Sequence, residues 1–178
     1  MTTIVRETRE TKIRVEIGVA TSKISTTIPF LDHMLNTLGR YSGVGLSVEA
    51  TGDLAHHISE DVAIALGAAF SGYAAKNIAR FGDRTVPMDE ALVHCALDLG
   101  GRPFYEGDLP SVRYEHWMRS FADNARATVH IRVLRGRDRH HIVEAAFKAL
   151  GLALRDALVR GSESDVFSTK GAVSLERQ

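Results

Sequence analysis

The sequence predicts an α+β fold made of two similar halves, and three observations carry that prediction. The phrases HHISEDVAIALGAAF from His56 and HHIVEAAFKALGLAL from His140 agree at eight of fifteen positions and are offset by 84 residues. A lone histidine precedes each pair, His33 by 23 residues and His116 by 24, so the duplication extends beyond the phrase itself. Each half also reads as strands plus two helices, with no linker and no low-complexity segment, rather than as a doubly wound sheet. Two copies are too few for a solenoid, so a single pseudo-symmetric domain is expected over 1–178, its halves near 5–85 and 86–175.

The elements follow in order. Ile13, Val15, Ile17 and Val19 alternate with Lys12, Arg14, Glu16 and Gly18, the pattern of a half-buried strand. A helix is expected over Pro29–Leu38, with Pro29 suited to a first-turn position. VGLSVEATG at 44–52 reads as a strand ending at a glycine. The second helix is placed over Ser59–Arg80, where Val62, Leu66, Ala69, Phe70 and Tyr73 form an apolar stripe. EALVHCALDLGG at 90–101 is a third clear strand, and a third helix lies around Glu115–Asn124. ARATVHIRVLRG at 125–136 matches the 44–52 strand of the first half. The last helix runs over His141–Val159, with Phe147, Leu150, Leu154 and Leu158 at helical spacing and Gly161 as its stop.

Composition narrows the class of function. Lys plus Arg and Asp plus Glu number 22 each, a balance that argues against a general nucleic-acid binder. The single cysteine, Cys95, excludes an intrachain disulfide framework. The N-terminal MTTIVRETRE lacks the apolar stretch of a signal peptide, and no run approaches a membrane span. A cytoplasmic protein without membrane or nucleic-acid partners is therefore expected.

Helix geometry makes the duplicated phrase a metal-binding signal. Residues i and i+4 share a face, whereas neighbours diverge by about 100°. His56 and Glu60 can thus address one ion while His57 points elsewhere, and the same holds for His140 and Glu144 against His141. With His33 and His116 the set holds six imidazoles and two carboxylates. Shared evenly, that is three His and one Glu for each of two ions built from both halves. Such ligation without thiolate suits Mn, Fe, Co, Ni or Zn, and carboxylates with open positions point to a catalytic rather than a closed site. His94 and His130 fall inside strand patterns, outside both phrases, and read as structural. Arg80 in ARFGD, Arg102 after a double glycine and Lys170 in FSTKG are weaker candidates for holding a phosphate. No P-loop or Rossmann fingerprint supports nucleotide chemistry.

IPFLDHML, HHISED, ARFGD, MDEALVHCALDLGGRP, VHIRVLRGRDRHHIVEAAFKAL and FSTKG occur in that order between about Glu10 and Gly171. Together they resemble the imidazoleglycerol-phosphate dehydratases of histidine biosynthesis. The resemblance implies helices packed on mostly antiparallel sheets and a 24-subunit homo-oligomeric shell with active sites between subunits. It also implies two Mn²⁺ per active site, or other divalent transition metals. The implied ligands are His33, His56, His57, Glu60, His116, His140, His141 and Glu144. Substrate contacts fall on Glu10, His33, Arg80, Arg102, Ser168, Thr169 and Lys170, with Glu10 reaching across a subunit boundary. Where the family often has a histidine eight residues after His33, this chain has Tyr41.

The implied reaction removes water from imidazoleglycerol phosphate to give imidazoleacetol phosphate. The proton to be lost is not acidic and hydroxide leaves poorly. A metal-bound imidazolate can expel the hydroxyl, giving a diazafulvene-like intermediate whose adjacent C–H is acidic. Glu10 is then a candidate base, with Asp89, Glu60 or Glu144 as alternatives. Two rival readings are a dimetal phosphate-ester hydrolase, which would lean on more carboxylates, and a shell in which metals only staple subunits.

Overall fold

The computed structural model describes residues 1–74 and 77–160. Each half follows the order β-β-β-α-β-α. The first comprises β1 (Thr2–Glu7), β2 (Thr11–Ile17), β3 (Lys23–Ser25), α1 (Pro29–Ser42), β4 (Leu46–Gly52) and α2 (Ala55–Tyr73). The second comprises β5 (Phe81–Met88), β6 (Ala91–Leu99), β7 (Phe104–Glu106), α3 (Val112–Ala125), β8 (Ala127–Arg135) and α4 (Arg139–Ala157). Two four-stranded sheets result, ordered β1-β2-β4-β3 and β5-β6-β8-β7. The pairs are antiparallel except β3 with β4 and β7 with β8. The duplicated α+β architecture read from the sequence is the one observed.

One face of each sheet is apolar and covered. In β2, Ile13, Val15 and Ile17 point inward while Lys12 and Arg14 face out. In β6, Ala91, Val93, Cys95, Leu97 and Leu99 do the same. α2 lies on β1, β2 and β4, and α4 on β5 and β6. Cys95 is fully buried, which pushes its thiol far above the usual range and leaves it inert.

The helices then pair crosswise: α1 of the first half packs on α4 of the second, and α3 of the second on α2 of the first. A glycine at the same position of each repeated phrase permits the close approach. A Cβ on Gly67 would sit 2.5 Å from the Phe121 carbonyl oxygen on α3. A Cβ on Gly151 would sit 2.8 Å from Tyr41 Cβ and 3.1 Å from Ser42 N on α1.

Several boundaries differ from the sequence reading. The second helix spans Ala55–Tyr73, not Ser59–Arg80, so His56 and His57 occupy its first turn. α1 continues to Ser42 and closes on Gly43, whose φ of 72° favours glycine and whose N–H reaches Gly39 O. α4 begins at Arg139 because the Asp138 side chain accepts the N–H groups of His140 and His141. Strands β1, β3, β5 and β7 were not anticipated, and the proposed stop at Gly161 lies outside the described residues.

Candidate metal centre

Crosswise helix pairing brings the lone histidine of each half to the repeated phrase of the other. His33 on α1 meets His140 and Glu144 on α4, and His116 on α3 meets His56 and Glu60 on α2. Within each set the ligating atoms lie within 4.8 Å of one another. Glu144 Oε2 accepts from His33 Nε2 at 3.0 Å and from His140 Nε2 at 3.1 Å. In the other set, Glu60 stands 3.7 Å from His56 Nε2 and 3.2 Å from His116 Nε2. The paired rings lie 5.7 Å apart for His33 and His140, and 5.4 Å apart and stacked for His56 and His116. Phe30 walls the first set, edge-on to His140 at 4.9 Å.

His116 Nε2 is buried and has no hydrogen bond among the described residues, although Glu60 Oε1 is 3.2 Å away. A buried ring nitrogen of this kind calls for a partner. Two imidazoles and a carboxylate converging on one point form a donor set that fits a divalent transition metal with positions left open.

The carboxylates of the two sets differ in setting. Burial is the largest influence and works to raise the Glu144 carboxyl, but Lys148, His33 and His140 together outweigh it and hold it at about 2. Lys148 Nζ lies 2.9 Å from Glu144 Oε1 and touches Met88 and the Tyr41 ring. The corresponding position in the first phrase is Ile64, so Glu60 has no such partner on its own helix.

His57 and His141 stand apart from both sets, as the divergence of neighbouring helix positions predicts; His57 instead groups with Glu10 and Asp53, their potential ligating atoms within 4.8 Å of one another. His57 Nδ1 bonds Asp53 Oδ1 at 2.8 Å, and His141 Nδ1 bonds Glu90 Oε2 at 2.8 Å. Those hydrogen bonds raise both imidazoles above their ordinary value. Glu90 is held at about 2, chiefly by the Asp138 N–H and then by His141 and the Arg137 N–H.

Both candidate bases that precede a repeated phrase sit at hairpin tips beside these outward histidines. Glu10, between β1 and β2, reaches within 3.6 Å of His57 Nδ1, and Asp89, between β5 and β6, lies 3.6 Å from His141 Nε2. The β1–β2 hairpin is moored to α2 by buried Asp61, which accepts from Arg6 at 2.8 Å and from the Thr11 hydroxyl.

The candidate phosphate residues lie elsewhere. Arg80 precedes β5 in a left-handed backbone conformation (φ 71°), its N–H bonded to Ala157 O at the end of α4. Its guanidinium grips Asp98 through Nε at 2.5 Å and Nη2 at 3.0 Å. Arg102 follows β6, its carbonyl accepting from the Thr128 hydroxyl. Thirteen residues of helix, about 20 Å at 1.5 Å per residue, separate Ala157 from Glu144. Ser168, Thr169 and Lys170 lie outside the described residues. His94 bonds Asp83, and His130 rests on Phe104, both on the outer face of the second sheet. A hollow on that face, lined by Phe81, Asp98, Thr128 and His130 among others, contains none of the candidate metal ligands.

Four flanking side chains were not singled out from sequence: Asp53, Glu90, Asp98 and Lys148. Asp53 stands four residues before His57, and Lys148 is where the second phrase replaces an isoleucine with a charge, so both carried a readable signal. Glu90 and Asp98 act across strands and carried none.

A profile of the imidazoleglycerol-phosphate dehydratase family matches residues 26–154. The imidazoleglycerol-phosphate dehydratase of Pyrobaculum calidifontis is 48% identical over 185 residues, covering 94% of this chain and 97% of that one. That of Archaeoglobus fulgidus is 43% identical over 175 residues, covering 94% and 97%. The crystal structure of the Pyrococcus furiosus enzyme in complex with (S)-C348 superposes with a TM-score of 0.90 at 40% identity, covering 96% of this chain and all of that one. The chain belongs to the imidazoleglycerol-phosphate dehydratase family, hydro-lyases of histidine biosynthesis.

Proposed function

We propose that this hydro-lyase works as a two-metal enzyme whose ligands are His33, His56, His57, Glu60, His116, His140, His141 and Glu144. The observation that carries the reading is the crosswise convergence of two His–His–Glu sets, one containing a buried ring nitrogen with no hydrogen bond among the described residues. Divalent cations held there, Mn²⁺ by the family resemblance, supply Lewis-acid charge and a template for the substrate's imidazole ring.

The chain's own groups provide the rest. Arg80 and Arg102, with Ser168, Thr169 and Lys170, anchor the substrate phosphate and so orient the ring. Electrons of the ring nitrogen expel the neighbouring hydroxyl and leave a diazafulvene-like species whose adjacent C–H is acidic. Glu10 takes that proton, and the enol becomes the ketone imidazoleacetol phosphate. Glu10 is favoured over Glu60 and Glu144 because those carboxylates face imidazoles within the candidate metal sets. Asp89 is the alternative, since it occupies the matching hairpin tip.

The site is shared between subunits in this reading. About 20 Å of helix separates Glu144 from the turn that carries Arg80, farther than so small a substrate reaches. A homo-oligomer, the 24-subunit shell of the resemblance, brings one chain's arginines to another's histidines. It functions in the cytoplasm, where histidine biosynthesis would supply its substrate.

The test is turnover of imidazoleglycerol phosphate by chelator-stripped protein, before and after Mn²⁺ is restored. Ketone formation that requires the metal is the expected result. Folded, Mn²⁺-loaded protein that forms no ketone, or that releases inorganic phosphate instead, overturns the reading. Glu10→Gln is expected to lower kcat by at least about 100-fold with little change in KM; full turnover would transfer the role to Asp89.

A further inference from the structure

We infer that Asp53 and Glu90 are positioning residues that fix His57 and His141 as Nε2 ligands. The inference rests on the proposed metal reading and concerns two side chains outside its ligand set.

The two outward histidines differ from His33 and His140 in which nitrogen is engaged. His33 and His140 turn Nε2 toward their own carboxylate, Glu144. His57 and His141 instead turn Nδ1 toward a carboxylate, each at 2.8 Å. An ionised carboxylate only accepts, so Nδ1 must carry the proton, and the lone pair of the neutral ring is then on Nε2. A carboxylate behind a histidine is the arrangement that holds a ligating ring in one tautomer and one orientation.

The two carboxylates are unrelated in sequence. Asp53 precedes α2 and reaches His57 from four residues away, whereas Glu90 reaches His141 from the β5–β6 turn, 51 residues away. Asp138, which stands in the loop before α4, is occupied instead in capping that helix. The two halves thus reach the same ring state by different routes. Glu10 and Asp89 approach these rings only at 3.6 Å, and so do not set the tautomer.

The bonding of each carboxylate predicts opposite outcomes for the two conservative amides. Asp53 uses a single oxygen, Oδ1, which accepts both the Leu54 N–H at 2.7 Å and His57 Nδ1–H. An amide oxygen can take both bonds, so Asp53→Asn preserves the tautomer. Glu90 uses both oxygens: Oε1 accepts the N–H groups of Arg137 at 3.1 Å and Asp138 at 2.8 Å, and Oε2 accepts from His141. In Glu90→Gln the amide oxygen stays with the two backbone donors, and the NH₂ group turns to His141. That group donates, so it drives the proton from Nδ1 to Nε2 and blocks the ligating nitrogen.

Mn²⁺ titration of metal-stripped full-length protein, followed by the electron paramagnetic resonance of the free ion, tests this without turnover. Circular dichroism verifies the fold of each variant. Asp53→Ala, Glu90→Ala and Glu90→Gln are each expected to weaken Mn²⁺ binding by about 10- to 100-fold, while Asp53→Asn stays within about threefold of the parent. Equal losses for Asp53→Asn and Asp53→Ala would make Asp53 itself a ligand and overturn its positioning role. Glu90→Gln binding like the parent would overturn the tautomer argument for Glu90. Unaltered binding in both alanine variants would overturn the inference while leaving the metal reading intact. Parent protein that binds no Mn²⁺ would overturn both.

Discussion

Individual side chains divide the two candidate metal sets into unequal partners. Glu144 is almost wholly buried and shares its carboxylate between two imidazoles and the Lys148 ammonium, whereas Glu60 is more exposed and has isoleucine at the matching position. Because the folded Glu144 carboxyl ionises at about 2 rather than at 4.5, its contribution to stability is present above about pH 4.5. That contribution fades as the pH falls through about 2. Lys148 is the cationic partner closest to Glu144, at 2.9 Å, so Lys148→Met should destabilise the metal-stripped protein by about 1–3 kcal/mol near neutral pH. Urea unfolding of parent and variant between about pH 7 and pH 3 measures the difference, which should hold constant down to about pH 4.5 and narrow below it. A gap that does not change with pH would mean that Lys148 stabilises only by packing on Met88 and Tyr41.

At the scale of elements, the site depends on how closely pairs of helices approach. Gly67 and Gly151 occupy the same place in the two repeated phrases, and each lies against the backbone of the helix that brings the lone histidine. Gly151→Ala must therefore push α1 away from α4 and His33 away from His140 and Glu144. The expected cost is about 1–3 kcal/mol of stability, together with weaker Mn²⁺ binding at that set, read by chemical denaturation and metal titration. Unchanged metal affinity in a destabilised variant would show that the ligands adjust independently of helix spacing. The same scale explains what the sequence made legible. The four strands recognised from alternation, β2, β4, β6 and β8, are the inner strands of the two sheets. The four missed, β1, β3, β5 and β7, are all edges. Two of these are only three residues long, and β5 contains Gly82 and Pro87, which an edge tolerates because one side needs no partner. The i,i+4 ligand pairs were legible because they lie on one helix. The crosswise partners His33 and His116 were recognisable as members of the set, but which phrase each would join depends on helix docking, which has no local sequence signature. The carboxylate of Glu90 was invisible for the same reason: it faces His141 from a different strand turn.

For the whole molecule, the geometry of one chain restricts where a complete active site can form. Arg80 is bonded to the last turn of α4, while Glu144 projects near its beginning, so in the proposed reading the two ends of the substrate are served by different copies. This makes complementation between two defective chains a direct test of a shared site. Arg80→Ala removes a proposed phosphate contact, and Glu144→Gln removes a proposed ligand, so each variant alone should be nearly inactive. Co-expressed with different tags and purified through both, random mixtures of the two chains would contain about a quarter of their sites with an intact arginine from one chain and an intact carboxylate from the other. Recovery of that order, confined to doubly tagged assemblies, is expected. If both groups served a site within one chain, every site would carry one defect or the other, and mixed assemblies would be as inactive as the separate variants.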